Sequence, residues 1–150
     1  MDINEEYQGT LWAIKKYFKT CPMIESDDRV YTDFLPAEAS RYAIYQTGNQ
    51  DGGVIERFVD GSKRIQFSFI FASMFNYSNA DTLTNLSNSK FFEDLQAWVE
   101  NNNDDGIFPE GITNPEEIEV MQTGSLFVID PKETLAEYQM ICRLIYLKEA

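Results

Sequence analysis

The stretch from Val54 to Trp98 constrains the fold more than any other part of the chain. Val54, Glu56 and Phe58 alternate with Ile55, Arg57 and Val59, Asp60-Gly61 follows, and Ile65, Phe67, Phe69 and Phe71 then share one side of a second run. Alternation on both sides of an Asp-Gly pair predicts a β-hairpin, because successive side chains of a strand point to opposite faces. Gln66, Ser68, Ile70 and Ala72 fall on the other side, so the second strand is half-buried with a heavily aromatic face. The period then changes: Phe91, Leu95 and Trp98, flanked by Phe92 and Val99, make a wide helical stripe that should lie on the sheet.

The flanking segments extend this plan. Tyr7, Leu11, Ile14 and Phe18 recur at spacings of four, three and four, which predicts a helix over residues 5–19. Lys15, Lys16 and Lys19 suit its C-terminal end, where the helix dipole favours cations. Pro22 stops it, so Thr20-Cys21-Pro22 is a helix exit rather than a redox site. Residues 25–28 read as an acidic turn. Val30, Thr32 and Phe34 alternate with Tyr31 and Asp33 in a strand over 29–35 that Pro36 ends. A second strand fits 41–47, and the polar, glycine-rich residues 48–53, with Asp51 among them, form a turn that could be mobile.

Beyond the hairpin, Ser78 or Asn79 can cap a helix with Asp81 in its first turn, running to Asn101 and kinked or broken near Ser87-Asn88-Ser89. Residues 101–115, with Gly106, Pro109, Gly111 and Pro115, read as a polar loop. Ile118 and Val120 belong to one strand and Leu126 and Val128 to another, around a turn near Thr123-Gly124. Residues 136–148 are apolar on both faces, which suits a central strand or one whose outer face meets a partner. The sum is an α+β fold, a mixed or antiparallel sheet packed by two main helices, in one domain over residues 1–150.

Composition agrees. A chain of 150 residues is one ordinary domain that buries about 68–70% of its unfolded surface, and 43% hydrophobic with 14% aromatic residues supplies a core. The net charge of -13 disfavours sequence-independent binding to phosphate backbones. It reads either as solubility or as a surface that must not adhere to DNA passing nearby. Cys21 and Cys142 are too few for a disulfide framework, and residues 1–10 lack a basic and apolar leader, so a cytosolic site of synthesis is expected. No apolar run approaches the ~18 residues of a membrane span.

Chemistry is sparse. The chain has no histidine, which removes the commonest general base, the usual triads and most zinc sites, and an enzyme is not expected. The pairs Asp27-Asp28, Asp104-Asp105 and Glu116-Glu117 read as solvated turns. Asn101-x-Asn103-x-Asp105-Gly106 opens like a calcium loop, but Ile112 stands where the bidentate glutamate belongs. No phosphate-cradling glycine motif occurs, so neither cofactor nor metal is expected. Asn76-Tyr77-Ser78 and Asn85-Leu86-Ser87 match the glycosylation pattern by chance.

Interaction candidates stand out instead. Arg57, Lys63 and Arg64 cluster around the Asp60 hairpin, where they either meet an acidic surface of a neighbouring subunit or protect an edge strand by charge. Arg143, between Ile141, Ile145 and Leu147, needs a carboxylate partner within the sheet or across an interface.

Four segments, taken in order, carry a resemblance: Phe18 to Pro22, Phe58 to Phe67 at the hairpin, Phe91 to Trp98, and Tyr138 to Tyr146. Together they resemble the tail terminator proteins, the tail-completion or minor capsid proteins of long-tailed bacteriophages and prophages of Gram-positive bacteria. The resemblance implies a tail-terminator-like fold and a structural role in the virion tail or neck, after synthesis in the bacterial cytoplasm. It implies a homo-oligomer, a hexameric ring, that stops polymerisation of the major tail tube protein and presents a surface to the head-tail connector protein, while DNA passes through without specific binding. Asp51, Arg57, Asp60, Lys63, Arg64 and Arg143 are the candidate subunit or tail contacts. A small-molecule-binding or regulatory α+β module is the main alternative, an enzyme comes third, and another phage neck or head-completion part lies close to the favoured reading.

Overall fold

In the computed structural model, residues 8–24, 30–78, 82–128 and 134–150 are described, with side chains at all of them except 125–128. Along the chain run α1 (Thr10–Lys19), β1 (Val30–Thr32), β2 (Arg41–Gln46), a short 3-10 turn (Gln50–Gly53), β3 (Val54–Arg57), β4 (Lys63–Asn76), α2 (Thr82–Asp105), β5 (Pro115–Val128) and β6 (Leu135–Lys148). The strands form one mixed sheet in the order β1-β2-β4-β6-β5, with β3 also on β4. Only the β1–β2 pair is parallel among them. One edge of β4 is shared, with β3 along Lys63 to Ile65 and β2 along Phe69 to Met74.

Alternation decides which face is covered. Ala136, Tyr138, Met140, Cys142 and Leu144 of β6 are buried, while Glu137, Gln139, Ile141 and Arg143 between them are half-buried. Phe69, Phe71 and Phe75 of β4 face the same way as that buried set, and the helices lay Ile14, Phe18, Phe92, Leu95 and Val99 on them. The Phe18 and Phe71 rings lie 4.9 Å apart, and Phe92 stacks on Tyr138 at 5.9 Å. Such ring pairs each add about 0.5–1.5 kcal/mol beyond their buried area. α1 packs over β1 and β2 and α2 over β5; the helices meet where Tyr17 touches Trp98 at 4.8 Å. Among the described residues no helix lies on the opposite face of the sheet.

Several elements differ from the sequence reading for identifiable reasons. β1 stops at Thr32 because Asp33 turns left-handed (φ 55°), and its carboxylate accepts the Gln46 amide at 3.1 Å. Phe34 therefore leaves the sheet and is 61% exposed. α2 is unbroken through Ser87-Asn88-Ser89, because Asn88 is spent on a tertiary bond, donating to the Asn76 carbonyl at 2.7 Å and to the Tyr138 hydroxyl at 3.3 Å. It also runs past Asn101 to Asp105, so the loop is shorter than expected. Asn102 donates to the Tyr17 hydroxyl at 3.1 Å, and Asn103 makes two bonds of 2.9 Å to the backbone N–H and C=O of Ile118. Those bonds occupy the outer edge of β5.

The expected turn at Thr123-Gly124 is a bulge within one long strand. Thr123 lies opposite Met140 and Ser125 opposite Gln139, and the residue between them, Gly124, has φ 85°. A glycine bulge and a glycine turn leave the same mark in a sequence. β6 is central, paired along its length by β4 and β5, as its two apolar faces require. The readings at Tyr7, at residues 25–28, at Arg29 and at the caps Asn79 and Asp81 lie outside the described residues. At the helix start Asn85 brackets Ser78, accepting its amide at 3.2 Å and donating to its carbonyl at 2.5 Å.

Candidate functional site

The hairpin builds its own tip. Phe58 N–H donates to the Ser62 carbonyl at 2.9 Å, Gly61 N–H to the Phe58 carbonyl at 3.0 Å, and Gly61 takes the left-handed φ of 91° that the reversal needs. Asp60 accepts from the Ser62 amide at 2.9 Å and hydroxyl at 2.6 Å, and those bonds hold its carboxyl below the ordinary range. Asp60 is thus a turn former that carries its charge at the tip. Beside it Val59 is fully exposed and Phe58 partly so.

The arginines of the cluster are already partnered. Arg57 meets Asp51 at 3.0 Å, with both side chains largely exposed. Arg64 bridges Glu56 and Glu116, the latter at 2.9 Å, and stacks over the Phe58 ring at 5.3 Å. The hydrogen bond to Glu116 raises its pKa further. Exposed pairs of this kind contribute little to stability, so they orient the hairpin more than they stabilise it. Lys63 differs. It stands opposite Lys148 in the β4–β6 register, and no carboxylate of the described residues pairs with either amine.

Arg143 finds its carboxylate within the sheet. Its guanidinium reaches Glu119 on β5 at 2.7 Å and Gln66 on β4 at 2.7 Å, spanning three strands on the face without helices. Arg64 does the same two rows away, from β3 to β5 across Leu147. Asp51 pairs with Arg57, which shares its face with its register partner Lys63, whereas Arg64 and Arg143 stand on the other face of the sheet in separate rows. The opposed Lys63–Lys148 pair went unread because it depends on strand order, which no local pattern carries.

The glycine-rich turn before β3 is pinned. Ser68 donates to Asn49 at 2.7 Å, and Gly53 sits so close to β4 that a Cβ there would lie 2.5 Å from the Gln66 carbonyl oxygen. A solvent-open cavity of about 390 Å³ lies between the start of α1 and the end of β6, lined by Thr10, Ile112, Asn114, Tyr146, Lys148 and Glu149 among others. Cys142 and Cys21 are buried, and burial pushes both thiols up, which suits packing rather than nucleophilic chemistry.

Glu116 of the carboxylate pairs serves Arg64, Asp104 and Asp105 are exposed at the end of α2, and Asp27-Asp28 lies outside the described residues. Among the described residues no cluster of three or more His, Cys, Asp or Glu could hold a metal ion, and no helix is long and apolar enough to cross a membrane. No family model and no curated protein matches the sequence.

Proposed function

We propose that this protein is a phage virion structural component that closes the end of the tail tube as a ring of identical copies, ends tube polymerisation and offers the head-joining surface. The observation that carries the reading is the convergence of the four segments behind the resemblance. Phe18 of the first lies against Phe69 and Phe71 on β4, the strand that the hairpin segment enters, and Phe92 of the third stacks on Tyr138 of the fourth. Segments spread from Phe18 to Tyr146 thus make one core rather than four unrelated surface matches. The exposed tip at Phe58 and Val59 and the uncovered sheet face leave surfaces for neighbours, as a ring component that contacts its own copies, the tube protein and a head connector needs.

The test is native mass spectrometry of the purified protein, followed by its addition to polymerising major tail tube protein. A six-membered species and tubes arrested at limiting length support the reading. A tight dimer holding a small molecule, with tube growth unaffected, sinks it. The cavity beside Thr10 and Lys148 favours one second reading, a small-molecule-binding or regulatory module, since about 390 Å³ falls in the usual range of ligand pockets. The same spectra separate the two through bound mass.

A further inference from the structure

Charge is sorted between the two helices. α1 carries Lys15, Lys16 and Lys19 and no carboxylate, whereas α2 carries one lysine, Lys90, already paired with Asp94 at 2.7 Å, against Glu93, Asp94, Glu100, Asp104 and Asp105. Helical geometry fixes the directions. Tyr17 and Phe18 of α1 both touch Trp98 of α2, Tyr17 also meets Asn102, and at 100° per residue Lys15 and Lys19 lie about 110° and about 150° from the midpoint of those two, on the flank away from α2. On α2, Gln96 and Asn103 reach β5 through Thr123 and Ile118, and exposed Glu93 and Glu100 stand within about 80° of them, with Asp104 just beyond. The half-buried lysine flank and the exposed acidic flank therefore lie on opposite sides of the helix layer.

Within α1 the dipole favours the lysine flank while the lysines repel one another. Two lysines at i and i+4 repel each other along a helix, and Lys15 feels it: its pKa is lowered by burial and then by Lys19. The helix dipole accounts for Lys16 and Lys19 in the last turn, and Lys16 also rests over the Trp12 ring at 4.7 Å. No carboxylate among the described residues pairs with Lys15 or Lys19. The lysine flank and the acidic flank are thus complementary in charge.

We infer that the Lys15–Lys19 flank of one copy docks on the Glu93–Glu100–Asp104 flank of the next, making a head-to-tail contact between copies of this chain. Two different complementary surfaces on one chain give a heterologous contact, and such a contact closes into a ring when its rotation permits. The inference rests on the ring reading and names its subunit interface. It also assigns the contact to the helix layer rather than to the hairpin arginines, which their neighbours already neutralise.

The experiment is charge exchange on the full chain, read by native mass spectrometry and sedimentation velocity. Lys15→Glu with Lys19→Glu makes both flanks acidic, and Glu93→Lys with Glu100→Lys makes both basic. Each variant alone is expected to associate at least ~100-fold more weakly than the unaltered protein, with an unchanged circular dichroism spectrum. Mixed in equal amounts they are expected to assemble again with strictly alternating copies. Should either pair fail to fold, the chain carrying all four exchanges keeps the net charge and the complementarity, and it must assemble.

Assembly of both double variants like the unaltered protein overturns the contact and leaves the ring reading standing. Loss of tube binding with self-association untouched assigns the lysine flank to another acidic protein and overturns it too. An unaltered chain that never self-associates, free or on tube ends, overturns both.

Discussion

Asn103→Ala tests whether a single side chain closes the outer edge of the sheet. Asn103 stands on α2 and presents an acceptor to the Ile118 amide and a donor to the Ile118 carbonyl, both at 2.9 Å, as a neighbouring strand would. Ile118 is 1% exposed, so water does not readily replace the lost amide partner. Two neutral hydrogen bonds are worth about 1 kcal/mol each, and an amide left unpaired adds about 1–3 kcal/mol. Alanine returns roughly 0.6 kcal/mol through its better helix propensity.

The net expectation is a loss of about 2.5–4.5 kcal/mol, or about 5–18 °C in Tm for a domain of this length. The assay is urea unfolding at one fixed protein concentration, since association contributes to apparent stability. Asn101→Ala is the control: Asn101 is exposed on the same helix, and its replacement should change stability by less than ~0.5 kcal/mol. Hydrogen exchange at the Ile118 amide should rise in step with the loss. If Asn103→Ala matches the Asn101→Ala control in both stability and exchange, the edge is closed by something else and the reasoning fails.

Gly53→Ala should cost about 2–4 kcal/mol in the same assay, because φ of 87° is left-handed and the new methyl would meet the Gln66 carbonyl oxygen at 2.5 Å; a neutral result would mean that the turn is not seated on β4. Tyr17 is pushed up to about 12 from 10.0, by burial first. Its raised folded value means that its contribution is complete below pH 10 and is lost as pH rises toward 12, by about 2–3 kcal/mol. Urea unfolding between pH 9 and 12 checks this, and Tyr17→Phe should flatten the slope while costing about 1 kcal/mol at neutral pH through the lost Asn102 bond. Cys142 and Cys21 should resist a disulfide-exchange reagent until the chain unfolds, so prompt labelling of the native protein at neutral pH would contradict the packing role given to them.

What was legible in the sequence was local. The hairpin, the aromatic face of β4 and the stripe of α2 each rest on a period of two or 3.6 residues, which survives any choice of strand order. What was not legible depended on a distant partner. The asparagines Asn88, Asn102 and Asn103 look like helix weakeners by propensity, yet each bonds to a group outside α2, and that keeps the helix continuous to Asp105. Gly124 looks like a turn because only pairing with β6 shows that the strand resumes after it. Arg143 could be read as needing an acid, but Glu119 could be named only once β5 lay beside β6 in register. The same ignorance of register made the hairpin arginines look available, although Arg64 reaches Glu116 across an intervening strand.

Net charge and local charge act on association at different ranges, and salt separates them. Each copy carries -13, so two copies repel over their whole width, whereas lysine–carboxylate pairs in the helix-layer contact attract only at about 4 Å. The screening length is about 10 Å at 0.1 M salt and about 3 Å at 1 M. Moderate salt therefore removes the long-range repulsion while leaving close pairs largely intact, and high salt weakens the pairs as well. Self-association should pass through a maximum near ~0.1–0.3 M salt rather than fall steadily. In the chain with all four exchanges the maximum should persist, because net charge and complementarity are both retained. Association that rises without limit toward 1 M would mean that apolar surface, such as the sheet face bearing Ile70 and Ile141, holds the copies together instead.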